Sequence, residues 1–130
     1  MSSFERKLAS IVEALDTFES LLPAERPQDL SAFVAGRVAL SREVAAFLSE
    51  EWNNLPRNLG QSDHSSQADL EALHRAFVSL RADYSRHIGR WNNSALVRDW
   101  LDYRQDCRHL IKSMRHLVQL RSRSLFRHVA

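Results

Sequence analysis

From Phe4 onward, apolar side chains recur at steps of three and four: Phe4, Leu8, Ile11, Leu15, Phe18 and Leu22. That spacing matches the turn of an α-helix and marks one buried face, predicting a first helix over about 4–22. Pro23 and Pro27 bracket a short connection, and Asp29 is placed to cap the next helix. This second helix, about 30–53, carries Leu30, Phe33, Leu40, Val44 and Phe47. Continued, its spacing falls on Glu51 and Leu55, so an acidic residue stands on the buried stripe. Asn53 to Ser66, with Pro56, Gly60 and several Asn and Ser, reads as the longest loop and the most mobile region, with Ser65 or Ser66 capping the third helix.

That third helix, about 66–91, shows Leu70, Leu73, Phe77, Leu80, Tyr84, Ile88 and Trp91 on one face, with His74 and His87 at its edges. The turn Trp91-Asn92-Asn93-Ser94 sends the chain back. A fourth helix, about 95–127, carries Leu96, Trp100, Tyr103, Cys107, Leu110, Met114 and Leu117 and runs on to Leu125, and Arg121 falls on the same stripe. Trp91 and Trp100 flank the turn and are expected to close one end of the core. Strand-like alternation, internal repeats and low-complexity tracts are missing. The expected fold is therefore all-α: one domain over 1–130, an antiparallel up-down-up-down four-helix bundle.

Composition changes this picture little: 130 residues suit one core, and three Gly with three Pro leave few turns between long helices. Charge adds an asymmetry beneath the net +2. Residues 1–73 hold 6 basic and 12 acidic side chains, residues 74–130 hold 12 and 4. In a bundle this makes mutually attractive helices, and with no nucleic-acid motif beside it, nucleic acid is not the expected partner. No apolar run has the length of a membrane span or the form of a signal peptide, and the lone Cys107 has no disulfide partner in the chain. A bacterial-type cytoplasmic protein is the plain expectation.

Gly-rich phosphate loops, nucleophile elbows, cysteine pairs and metalloprotease helices are all missing, which leaves catalysis little to stand on. Cys107, mid-stripe, reads as a small core residue. The histidines matter because bundle interiors lined by His, Asp and Glu are where di-iron sites are built. Glu71 and His74 have the Glu-x-x-His spacing of carboxylate-bridged bundles, whereas His109 and His116 share a face off the stripe and are expected at the surface.

Leu40 to Leu55, LSREVAAFLSEEWNNL, resembles the second helix of the hemerythrin-like (HHE) cation-binding domain, whose His-x-x-x-Glu pattern aligns with Phe47 and Glu51. Trp100 to Val129 is similar to that family's last helix, where a second His-x-x-x-Glu aligns with Leu117 and Arg121 when Leu125-Phe126 is set on its Leu-aromatic pair. The resemblance implies the bundle. It leaves Glu51 with His74 or His87, and with Glu43 or Asp106 beside them, as the remnant of an iron site; the first helix, which supplies a ligand in the family, contains no histidine. In the family the carboxylates of the second and fourth helices meet across the metals, so the resemblance also implies that Glu51 and Arg121 face each other as a buried ion pair. The alternative is that the last turns splay and both side chains reach solvent.

A shorter stretch, His109-Leu110-Ile111-Lys112-Ser113, is similar to the His-x-Leu-Lys-Gly signature of histidine phosphotransfer domains, which implies a phosphoryl-accepting His109 with Lys112 pairing the phosphate. Three functions are thus expected in order. The first is a non-catalytic regulatory or protein-interaction bundle without cofactor, binding an unidentified protein or a second copy of itself. The second is an iron-binding oxygen or redox sensor, and the third a phosphotransfer module. Trp52, with Leu55 and Pro56, is the candidate partner surface if exposed.

Overall fold

The structure is a computed structural model that describes the backbone of residues 3–60 and 67–129, with side chains over 5–51, 68–69 and 71–122. It is all-helical over the described residues: α1 (Ser3–Ser20), α2 (Leu30–Gly60), α3 (Gln67–Arg90), α4 (Asn93–Arg98) and α5 (Trp100–Val129). The helix starts are those the capping residues dictate. Asp29 Oδ1 accepts from the Ala32 amide at 3.0 Å, and Asn92 Oδ1 accepts from the Ala95 amide at 2.8 Å, each satisfying a donor that a first turn leaves without a partner.

Two boundaries differ from expectation. α2 continues through Asn53 and Pro56 to Gly60 rather than ending near 53. An interior proline costs about 3 kcal/mol through its missing hydrogen bond and ring clash, and asparagine a few tenths, so α2 runs on here against local preference. Residues 61–66, the rest of the expected loop, lie outside the described residues, as do the side chains of Trp52, Leu55 and Pro56. The expected fourth helix is two: α4 ends at Asp99, whose amide bonds the Ala95 carbonyl at 2.9 Å while its own carbonyl accepts from Tyr103 at 3.0 Å. The chain bends at that residue, which brings Leu96 into the core with no exposed surface.

The four long helices pack in sequence around one core, α1 on α2, α2 on α3, α3 on α5 and α5 back on α1, while α4 lies against α5. Register between α2 and α3 is antiparallel: the Tyr84 hydroxyl donates to the Ser41 carbonyl at 3.4 Å, and Arg37, further back in α2, donates to the Trp91 carbonyl just past α3. Most of the stripe residues are buried as their spacing predicts. One exception is instructive: on α3 His87 is buried and Ile88 is 45% exposed, because the strict three-four alternation from Tyr84 reaches residue 87 and then Trp91.

Aromatic rings close the α3–α4–α5 end. Tyr103, fully buried, takes Trp91 and Phe33 edge-on at 5.4 and 6.0 Å and His87 stacked at 5.6 Å, while Trp100 lies tilted at 5.6 Å. Each aromatic contact of this kind contributes about 0.5–1.5 kcal/mol beyond its burial. Trp100 Nε1 and Arg104 Nε donate to the carbonyls of Pro23 and Leu22, pinning the α1–α2 connection to the start of α5. Among the described residues no helix is long and apolar enough to cross a membrane.

Candidate functional site

The polar groups that the core does contain gather at two levels, one near the aromatic end and one about 20 Å along α2 and α5, since fourteen residues separate Arg37 from Glu51 and Cys107 from Arg121. At the aromatic end, α3 supplies His87 and α5 supplies Asp106 and Cys107. His87 Nδ1 lies 2.7 Å from Asp106 Oδ2, and Trp91 Nε1 donates to that same oxygen at 2.8 Å. Burial raises the cost of the Asp106 charge, but the bonds from His87 and Trp91 outweigh it and hold the carboxyl below its usual range. Burial pushes His87 the other way, below the usual histidine range, against the pull of Asp106. Asp106 is therefore ionised and His87 neutral at pH 7, so Nδ1 carries the proton and donates, leaving the Nε2 lone pair toward Cys107 Sγ at 3.8 Å.

Thiol, imidazole and carboxylate in that order resemble a nucleophile, its base and an orienting group. Burial decides what they do here: Cys107 is 4% exposed and its thiol is pushed up to about 12, so sulfur stays protonated at neutral pH. The arrangement is a closed relay of hydrogen bonds around a neutral imidazole.

Beside this relay lies a cavity of about 50 Å³ that opens on the α2–α3 seam between Arg37, Ser41, Tyr84 and Ile88 and reaches Val44, Leu80, Cys107 and Met114 in the core. Two polar groups in its wall stand out. The Arg37 guanidinium lies 5.5 Å over the Tyr103 ring and donates to the Trp91 carbonyl, with no carboxylate partner among the described residues. The Tyr103 hydroxyl is buried beside Arg37 and Cys107 but makes no hydrogen bond of ordinary geometry among the described residues. Burial, with the Cys107 thiol adding to it and Arg37 offsetting it only in part, keeps that hydroxyl protonated, far above the ordinary tyrosine range. A buried hydroxyl without a well-formed hydrogen bond costs about 1–3 kcal/mol, and this one packs beside the Cys107 thiol and the Arg37 guanidinium with no surface open to water.

At the far level, Arg121 Nε donates to Glu51 Oε2 at 2.9 Å, and the two side chains are 10% and 7% exposed. Burial pushes the Glu51 carboxyl above its usual range, and Arg121 only partly offsets this. The pair stands where the resemblance to hemerythrin-like proteins aligns metal-binding carboxylates, with Phe47 and Leu117, both buried, at the aligned histidine positions. These residues do not fit a metal pair: two aligned ligands are hydrocarbon, one is a cation, and the remaining carboxylate is held by that cation.

The other candidates disperse. His74, half-buried, and His87 are thirteen residues apart on α3, about 20 Å, so they cannot share an ion, and His87 is likewise a long way from Glu51. Glu43 and Glu71 are exposed. Among the described residues no group of three or more His, Cys, Asp or Glu is placed to hold a metal. His109 and Lys112 are exposed on α5, as is His116, and next to them Arg115 pairs with Asp16 at 2.8 Å and Glu19 at 2.5 Å on α1. The pairing of a basic α5 with an acidic α1 is what the charge asymmetry of the chain suggests.

Sequence spacing could have found His87, three residues past Tyr84, had the step outweighed the apolar character of Ile88. Arg37 and the Tyr103 hydroxyl carry no such signal, since an arginine between helices and a tyrosine on a stripe are ordinary features. No model of a known family matches the chain, and no curated protein or solved structure matches it either.

Proposed function

We propose that this chain is a non-catalytic regulatory bundle that binds a small ligand in the cavity beside Tyr103 and passes its occupancy to a partner protein. Its four long helices fit an up-down-up-down arrangement of the hemerythrin-like kind in which the metal ligands have been replaced and Glu51 and Arg121 hold each other. The observation that carries the reading is the cavity itself: it is walled mostly by apolar side chains, with a guanidinium that meets no carboxylate among the described residues. Apolar lining with a few converging polar groups is common to small-molecule sites. The groups that could do chemistry there are engaged otherwise, His87 by Asp106 and Cys107 by its own burial.

A fragment library read by thermal unfolding tests this. Ligands that fill the cavity raise the melting temperature with the logarithm of their concentration above Kd and slow alkylation of Cys107, the chain's one cysteine. A library with no compound doing both would contradict the reading. Elemental analysis of protein made in iron- and zinc-supplemented medium is expected to give substoichiometric metal. A stoichiometric pair of irons with charge-transfer absorption would instead make it a metal sensor.

A further inference from the structure

A regulatory bundle needs a surface on which its partner sits. We propose that the seam between α2 and α3 docks one amphipathic helix of another protein, apolar along the face it lays in the seam and acidic along the edges of that face. This rests on the proposed regulatory function and goes further by naming the partner's chemistry and its place.

Exposure gives the first argument. Five large hydrophobic side chains are exposed among the described residues, and three of them, Val38, Val78 and Ile88, each 45% open to solvent, border this one seam. The bond from the Tyr84 hydroxyl to the Ser41 carbonyl fixes which flanks of the two helices meet there. Val38 stands one turn before Ser41 on α2 and Ile88 one turn after Tyr84 on α3, side by side because the helices are antiparallel. On α3, Val78, Arg81, Ser85 and Ile88 follow at steps of three, four and three, a single exposed row about 15 Å long. Two neighbouring ridges of this kind leave a groove between them that fits the ridge of a third helix.

Charge names the occupant. The charged side chains that border the apolar row are cations, Arg37 and Arg42 on α2 and Arg81 on α3. The acids of the same helices turn elsewhere: Glu50 pairs with Lys7 of α1, Glu51 with Arg121 of α5, and Asp83 with Arg86, on the side where it lines a pocket with Asp106. Glu43 lies two residues beyond Ser41, on the opposite flank of α2. The row on α3 reaches its first acid at Glu71, seven residues before Val78. A positive seam with apolar ridges is complementary to a helix whose apolar stripe is edged by carboxylates. It disfavours a second copy of this chain, since a two-fold pairing of seams sets the same arginines against one another. Arg37, Ser41, Tyr84 and Ile88 border the seam and also line the cavity, so a helix seated here lies over the bound ligand.

The test is a displayed library of helices of about four turns, long enough for the row, with their surface positions randomised and selected on the full chain without added ligand. Selected helices are expected to show Leu, Ile or Val at three-four spacing with Glu or Asp along both edges. One of them, made as a peptide and followed by fluorescence anisotropy, should bind about tenfold more weakly in high salt or with its acids replaced by Lys. Val38→Lys and Val78→Lys, at exposed positions outside the cavity lining, should each weaken the peptide about tenfold without lowering the melting temperature. Arg42→Glu should weaken it too and strengthen its Lys counterpart. Arg108→Glu with Lys112→Glu, exposed on α5, should leave binding unchanged. Selected helices with basic edges, or binding that follows Arg108 and Lys112 instead of Val38 and Val78, would overturn the proposal. So would a library without a binder, or a dimer of this chain that Val78→Lys dissociates. Fragments that protect Cys107 while no helix binds would leave the ligand-binding function standing. A helix that binds the seam while no fragment protects Cys107 would remove that function and leave the docking surface.

Discussion

The two polar levels of this core solve one problem in opposite ways. At the far level a carboxylate and a guanidinium are both deeply buried and satisfy each other. At the aromatic level a carboxylate satisfies an imidazole and an indole, and the guanidinium of Arg37 lines a cavity without a carboxylate partner among the described residues. Burying a charge is costly unless it is paired, so a self-paired level is mainly structural, while a level with donors left over is built to be completed from outside.

The contrast is sharpest at Arg121. Replacing it with Met strands the Glu51 carboxylate, and stability measured by urea unfolding is expected to fall by about 3–5 kcal/mol. Adding Glu51→Leu should restore or exceed the original value, since a buried pair exchanged for packed apolar residues is often neutral or stabilising by about 1–4 kcal/mol. A single change with no cost would mean that the pair does not carry the far level.

Asp106→Asn comes next. Its side chain is 32% exposed, so water compensates part of the loss, and about 1–2 kcal/mol is expected from weakening two hydrogen bonds to a charged acceptor. Thermal melts of the variant should show the loss, and indole fluorescence should shift as Trp91 loses its acceptor.

The two levels also answer acid in opposite senses. His87 has a folded pKa below its unfolded value near 6.5, so the unfolded chain binds more protons below that pH and stability falls on acidification. Glu51 has a folded pKa above its unfolded value near 4.5, so the folded chain binds more protons just above that pH and acidification favours folding there. Urea midpoints between pH 7 and 5 should therefore decline less in His87→Gln than in the parent chain. They should decline more in the Glu51→Leu, Arg121→Met pair. Equal slopes in all three would remove the distinction.

The smallest effect is expected at the hydroxyl itself. Tyr103→Phe removes an unsatisfied buried donor without touching the ring, so stability without ligand should be unchanged or rise by up to about 1 kcal/mol. A loss of that size would show that the hydroxyl is already satisfied within the protein.

Much of this was legible in the order of residues. Three-four spacing gave the stripes, Asp29 marked a helix start, and the same spacing put Glu51 and Arg121 on buried faces despite their charge. The parts that escaped depended on features a stripe does not encode. The continuation of α2 past Pro56 runs against local preference, which a reading of residue types takes as a stop. The break at Asp99 is a bend, and hydrophobic periodicity continues across it. His87 was hidden by an apolar neighbour one step away, and Arg37 acquires meaning only from its place beside the cavity, where it meets no carboxylate among the described residues.

The central claim is that the aromatic level is open to a ligand and the far level is closed. Heteronuclear NMR of the labelled full chain, titrated with fragment hits, tests it most directly. The account predicts saturable shifts at Arg37, His87, Tyr103 and Cys107, with Glu51 and Arg121 unmoved. Shifts centred on Glu51 and Arg121 or on the outer face of α5, with the signals around Tyr103 unchanged, would contradict it.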